Sequence, residues 1–177
     1  MMDLWGRLRS IEDIAELKSF DCGDRELNRF LKEDAHLFKD QMIANTYVWE
    51  DSVSTIAYFC LLSDKVSQDV IDKNLWRKLR KSLPHGKHFN SYPAVKIGRL
   101  AVSVKQSGKG LGSKIISMIK YILLRNQHIA AMRFITVDAY IEAVPFYTNN
   151  GFKPLRNEPI NKVLPMYFDL LQFQLSE

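Results

Sequence analysis

Apolar residues recur at helical spacing from Asp24 to about Gln41, where Leu27, Phe30, Leu31, Leu37 and Phe38 share a face and Asp24 offers an N-cap. Two runs rich in β-branched and aromatic residues follow, Thr46–Trp49 and Thr55–Leu62, and the polar Glu50-Asp51-Ser52 between them predicts a hairpin. From Ser67 to about Ser82, Leu75, Trp76 and Leu79 interleave with cations, which predicts a basic amphipathic helix stopped near Pro84. Ala94–Val102 alternates as a strand does. Leu111 to about Gln127 is helical, with Leu111, Ile115, Met118, Ile119, Ile122 and Leu123 on one stripe. Arg133–Ala139 reads as a strand and Ile141–Asn150 as a short helix closed by Gly151 at C′. Pro165–Phe173 supplies a last strand. The second half thus runs strand, loop, helix, strand, helix, strand, which predicts an α/β arrangement with a central mixed sheet flanked by helices.

A length of 177 residues fits a single domain over 1–177, and a hydrophobic content of 46% is enough for a core. Cys22 and Cys60 are far apart in sequence and read as reduced thiols in a cytoplasmic protein. No segment of about 18 apolar residues exists, so no membrane span is expected, and Met1–Ser10 has no apolar signal core. His36, His85, His88 and His128 show no metal-ligand spacing, and no metal is expected.

Charge changes the picture. The net charge is +5, yet every Asp and Glu lies before Lys73 or after Val137, and 14 of the 25 Lys and Arg lie between those limits. Two readings are open: a solvated basic face, or a surface for a large polyanion such as RNA. The second is preferred, with Lys73, Arg77, Lys78, Arg80, Lys81, Lys87 and Arg99 as candidate RNA contacts. Trp76 either stacks on a base or, the preferred reading, packs.

Inside this block, Gly108-Lys109-Gly110-Leu111-Gly112 holds three of the chain's eight glycines, between the strand and the helix. Glycines there permit positive φ and close backbone approach, and a helix N-terminus presents N–H groups to an anion. The spacing is neither G-x-x-x-x-G-K-[ST] nor G-x-G-x-x-G.

The loop and a downstream segment together resemble the GCN5-related N-acetyltransferase (GNAT) superfamily, whose pyrophosphate loop reads [RQ]-x-x-G-x-[GA]. Ser107-Gly108-Lys109-Gly110-Leu111-Gly112 follows Arg99-Leu100-Ala101-Val102, and Pro145-Phe146-Tyr147-Thr148-Asn149-Asn150-Gly151-Phe152 matches the family's "FY…GF" segment. The resemblance covers Ala94–Phe152 and implies an acetyl-CoA-binding half at about 94–152, within a GNAT-like domain built on a twisted mixed sheet. Ser107 stands where the family carries Arg or Gln, and Ile141 where many members carry Asn; Gln106 lies one position early. Phe20-Asp21-Cys22-Gly23, Glu26–Leu31 and Asn45–Val48 are similar to the branch that includes toxins acetylating aminoacyl-tRNA.

The resemblance implies transfer of acetyl from acetyl-CoA to a primary amine, first the amino group of aminoacyl-tRNA. The alternatives are a small amine, a peptide or a protein lysine, and a non-catalytic acyl-CoA- or RNA-binding module. Leu100, Ala101 and Val102 would meet the pantetheine and oxyanion through backbone groups. Ser107, Gly108, Lys109, Gly110, Leu111, Gly112 and Ser113 would hold the pyrophosphate, with Phe146 carried in the same cofactor set although packing of the helix onto the sheet is its preferred reading. Tyr147 is the expected general acid toward the CoA thiolate. A small antitoxin and a homodimer are the implied protein partners. Glu50 and Asp51 read as turn residues, and no acidic base precedes Asp138 in the cofactor half. The missing base favours an acceptor amine of low pKa, such as an α-amino group near 8.

Overall fold

The computed structural model of the chain describes residues 8–81 and 89–174. Strand β1 (Leu8–Ser10) runs into a 3₁₀ turn (Ile11–Asp13), and after a connection come helix α1 (Arg25–Arg29), a π segment (Phe30–Asp34) and helix α2 (Ala35–Asp40). Asp24 is the cap that the pattern predicts, its carboxylate accepting from the N–H groups of Glu26 and Leu27. The expected continuous α-helix is interrupted, however. The Ala35 N–H donates to the Phe30 carbonyl five residues back, and this wider turn carries the buried Phe30 and Leu31.

Strands β2 (Asn45–Glu50) and β3 (Thr55–Ser67) form the expected hairpin. Its turn is held by the Asp51 carboxylate, which accepts from the N–H groups of Val53 and Ser54 at 2.8 and 2.7 Å. β3 continues to Ser67, so the basic helix α3 (Lys73–Lys81) begins later than expected. Asp72 sets that start, its carboxylate accepting from Asn74 N–H at 2.9 Å and Leu75 N–H at 3.2 Å.

Strand β4 (Ser91–Val102), helix α4 (Leu111–Arg125), strand β5 (Phe134–Tyr140) and helix α5 (Val144–Asn149) follow as expected, with small shifts of boundary. A two-residue strand, β6 (Lys153–Pro154), precedes β7 (Val163–Asp169) and helix α6 (Leu170–Gln174). The last strand therefore stops at Asp169, not Phe173, where the Asp169 carboxylate accepts from Leu171 N–H at 3.0 Å.

The sheet has seven strands in the order β1-β2-β3-β4-β5-β7-β6. β4 and β5 pair in parallel over Ala94–Lys96 and Phe134–Thr136, whereas β1–β2, β2–β3, β5–β7 and β6–β7 are antiparallel. The sheet is mixed, as expected.

Two compact units are distinguished: the described residues up to Ser63 with Ile97–Ile115, and Asp64–Lys96 with Ile116 onward. The first is centred on Phe30, Leu31, Val48, Tyr58, Cys60 and Ala101. Gly98, exposed on β4 of this unit, lies close to two side-chain ends: a Cβ would fall 2.6 Å from Leu62 Cδ2 and 3.0 Å from Cys60 Sγ, and the flexible end of Leu62 would have to turn aside. The second is centred on Val66, Trp76, Leu79, Phe134, Leu155 and Tyr167. Trp76 is buried against Tyr92, their ring centroids 5.3 Å apart, so it packs and is not displayed for a base. Burying each such side chain contributes about 1.5–3 kcal/mol.

Candidate active site

In the first unit, β4 ends at Val102 and the chain is pinned twice on leaving it. Ser103 N–H donates to Ile56 O at 2.8 Å and Val104 N–H to Asp21 O at 2.9 Å. A 3₁₀ turn over Val104–Gln106 then delivers the glycine loop. Gly108 and Gly110 sit at φ +74° and +71°, and an added Cβ at either would meet nothing within 4 Å. These glycines answer a backbone requirement, in a segment with open space above it. The first intrahelical bond from this end runs from Lys114 N–H to Gly110 O at 3.2 Å. The N–H groups of Leu111 and Gly112 precede it and have no i−4 carbonyl within the helix.

Ser107, Gly108, Lys109, Gly110 and Ser113 are exposed, and Leu111 and Gly112 half-buried. The Lys109 ammonium folds back to Gln106 Oε1 at 3.0 Å and Lys105 O at 3.2 Å. The cation is thus held back against the 3₁₀ turn that precedes the loop. Ala101 is buried in the core of this unit, whereas Leu100 and Val102, alternating with it along β4, are half-buried.

In the second unit, Tyr147 occupies the third residue from the end of α5. Phe152 N–H donates to Tyr147 O at 3.0 Å and Gly151 N–H to Thr148 O at 2.9 Å, with Gly151 at φ +83°. This is a complete Schellman cap, and its customary apolar contact is here the edge-on pair Tyr147–Phe152, centroids 5.4 Å apart. Phe146 is half-buried and lies edge-on to Tyr147 at 5.0 Å. Burial pushes the Tyr147 phenol up to about 12, so it is protonated at neutral pH. Ile141 is 44% exposed in the 3₁₀ turn Ile141–Ala143, and its side chain donates no hydrogen bond.

The same unit carries α3. Trp76 and Leu79 face its core, and Lys73, Arg77, Lys78, Arg80 and Lys81 are exposed. Gln68, Lys73, Trp76, Arg77, Arg80 and Lys81 line a groove of about 510 Å³. Lys87 lies outside the described residues. Arg99, in the first unit, differs from the α3 cations: it sits 4.0 Å over the Phe30 ring and 3.6 Å from Glu26, half-buried.

Glu50 and Asp51 are structural. The Glu50 carboxylate is buried and accepts from Thr55 Oγ1 at 3.1 Å and Lys18 N–H at 3.3 Å. Asp51 is held below the usual carboxylate range by the backbone hydrogen bonds of Ser54 and Val53. Asp138 accepts from Lys96 Nζ at 2.8 Å, and the same amine lies 3.6 Å from Asp64. Among the described residues, no group of His, Cys, Asp and Glu is arranged to hold a metal ion, and no helix is long and apolar enough to cross a membrane.

Sequence reasoning passed over Lys120. It is buried on α4, donates to Asn150 O at 2.7 Å and lies 3.7 Å over the Phe168 ring. The signal was present: Lys120 falls four residues after Ile116 and three before Leu123, on the apolar stripe itself.

Residues 88–167 match the family model of an acetyltransferase (GNAT) domain. The chain is 24% identical over 159 residues to a tRNA-acetylating toxin of Mycobacterium tuberculosis (strain ATCC 25618 / H37Rv), covering 89% of this chain and 90% of that protein. Its fold resembles AtaT complexed with acetyl-methionyl-tRNAfMet, with a TM-score of 0.79 at 21% identity over 96% of this chain and 97% of that one. A Tyr-to-Phe mutant of KacT gives a TM-score of 0.79 at 23% identity over 96% and 98%. AtaTR bound with AcCoA gives 0.76 at 21% over 96% of each.

Proposed function

We propose that the chain is a GNAT acetyltransferase, a reading supported by the match of residues 88–167, and that it transfers acetyl from acetyl-CoA to the α-amino group of an aminoacyl-tRNA, in the cytoplasm and as a toxin restrained by a small antitoxin. The observation that carries the acceptor is the exposed row of five cations on α3, within a stretch that has no acidic residue. Such a face attracts a polyanion through its phosphates, independently of sequence. The tRNA-acetylating relative supports the same reading. We take the two compact units as parts of one acetyltransferase domain.

In this reading Gly108, Lys109, Gly110, Leu111, Gly112 and Ser113 hold the pyrophosphate through backbone N–H groups, with Ser107 contributing less than the longer side chain usual there. Lys109 adds a charge. Leu100, Ala101 and Val102 offer backbone groups to the pantetheine and the developing oxyanion. The neutral amine attacks the thioester carbonyl, the C–S bond breaks, the nitrogen gives its proton to water, and the sulfur takes one from Tyr147. A phenol at about 12 is a weaker acid than a thiol near 8.5, so complete transfer is uphill by roughly three pKa units. Tyr147 therefore helps most as a hydrogen-bond donor while charge builds on sulfur, and water restores its proton afterwards.

The test is to incubate the protein with isotopically labelled acetyl-CoA and, separately, charged tRNA, deacylated tRNA, polyamines and peptides, and to identify acetylated products by mass spectrometry. Label on charged tRNA alone is expected. Label on polyamines or peptides with charged tRNA unmodified overturns the acceptor assignment, and binding of acetyl-CoA without transfer overturns catalysis.

A further inference from the structure

Lys120 is 7% exposed, and among the described residues no carboxylate meets its amine. A buried lysine without a counter-charge is costly, and an apolar residue at this point of the α4 stripe would remove that cost. What the amine does is specific. It donates to the carbonyl of Asn150, the residue that closes α5, and it rests on the ring of Phe168 at 3.7 Å, with the rings of Phe173 and Phe152 at 5.7 and 5.8 Å.

Asn150 is tied directly to Tyr147. Its N–H donates to Tyr147 O at 3.0 Å and to Phe146 O at 3.2 Å, and its side-chain amide donates to Phe146 O at 2.8 Å. The Phe168 ring that supports the ammonium also floors the following turn, since a Cβ on Gly151 would fall 3.1 Å from it. One amine thus holds the far end of the short helix from which Tyr147 extends.

We propose that Lys120 is a positioning residue for Tyr147, its ammonium clamping the Asn150 carbonyl so that the phenol keeps the orientation needed for acetyl transfer. The proposal rests on the reading of Tyr147 as the acid.

Burial alone lowers the Lys120 amine from its ordinary 10.5 to about 8. The neighbouring elements bring no competing charge to it. On β7, Asp169 is engaged by Arg133 Nε at 2.8 Å; on β6, Lys153 is exposed; on α5, Tyr147 stays protonated to about 12. The clamp therefore weakens as the amine loses its proton in the alkaline range, well before the phenol ionises.

The experiment compares Lys120→Met and Lys120→Arg in the full chain, each alone and combined with Tyr147→Phe, using acetyl-CoA, charged tRNA and a thiol-release readout from pH 6.5 to 10. Lys120→Met is expected to lower kcat about 10- to 100-fold with the KM for acetyl-CoA within about twofold, as small misplacements do. It should also lose the alkaline fall in kcat near pH 8, and it should cause no further loss in the Tyr147→Phe background. Lys120→Arg should restore kcat and shift the alkaline fall beyond the range. An unchanged kcat in Lys120→Met overturns the proposal. Full turnover by Tyr147→Phe removes the acid and the clamp together. Impaired Tyr147→Phe with an additional, equal loss from Lys120→Met leaves the acid standing and overturns the clamp alone. If Lys120→Met does not fold, the pH profile of Lys120→Arg decides: an alkaline fall still near pH 8 counts against the clamp, and its disappearance counts for it.

Discussion

Arg133 and Asp169 grip each other through two parallel hydrogen bonds, Nε to Oδ1 at 2.8 Å and a terminal guanidinium nitrogen to Oδ2 at 2.9 Å. The pair joins the residue preceding β5 to the last residue of β7, where Leu170 N–H also donates to Arg133 O at 3.0 Å. Asp169 is almost fully buried and Arg133 largely so. Removing the guanidinium strands a desolvated carboxylate. Arg133→Ala should therefore cost about 3 kcal/mol in urea unfolding, and the double variant with Asp169→Asn should recover part of it. A loss below about 0.5 kcal/mol would show that the pair is energetically idle.

Gly110→Ala puts a methyl group into open space but asks an L-residue to hold φ +71°. The expected stability loss is about 1 kcal/mol, from the backbone alone. Acetyl-CoA affinity measured by titration calorimetry should fall at least about fivefold, since relaxation of the strained residue re-aims the N–H groups behind it. Unchanged affinity would place the pyrophosphate elsewhere.

Gly98→Ala is a different experiment at a glycine of ordinary φ. The new methyl would lie 2.6 Å from Leu62 Cδ2, but the end of that flexible side chain can turn aside, so the loss should stay at the low end of overpacking costs, about 1 kcal/mol. Combining it with Leu62→Ala should return most of the loss, as read by thermal melting.

Reversing Arg77 and Lys78, both exposed on α3, should weaken tRNA binding about tenfold or more at 0.1 M salt. The salt slope of log Kd should also become shallower by about one for each phosphate contact removed. Acetyl-CoA affinity should not move. A tRNA affinity independent of salt in the parent protein would remove the polyanion surface from consideration.

Stability should track Lys120 with a definite sign. The folded-state amine is lowered to about 8 from 10.5, so between those values the unfolded chain binds more protons and raising the pH favours folding. Below about pH 8 the full cost of the buried charge is present. Lys120→Met should accordingly melt above the parent at pH 7, with the gap closing by about pH 10.5. A variant that gains stability while losing turnover separates positioning from packing.

Much of this molecule is written locally in its sequence. Asp24 caps through its own carboxylate and Gly151 and the glycines of the loop act through their own backbones, and each stands where its residue type requires. Other features depend on partners distant in sequence. β1 and β6 are strands only because β2 and β7 pair with them. β3 runs on to Ser67, past the expected end at Leu62, and there Asp64 joins a cluster with Lys96, Thr136 and Asp138 on adjoining strands. The π turn after Arg29 leaves no mark in the apolar spacing. The partners of Arg99, Glu26 and Phe30, lie some seventy residues earlier, and its own neighbourhood in the sequence does not announce them.

The acid-free stretch has a consequence for the chain before it folds. As an extended segment it is a polycation, with nothing of opposite sign within it. Folding recruits Glu26 to Arg99, Asp64 and Asp138 to Lys96, and Asp169 to Arg133, while Lys120 withdraws among aromatic rings. The native state is thus a weaker polycation than its own precursor. On a heparin column the denatured or incompletely folded protein should elute after the native one, which turns a routine purification step into a gauge of folding.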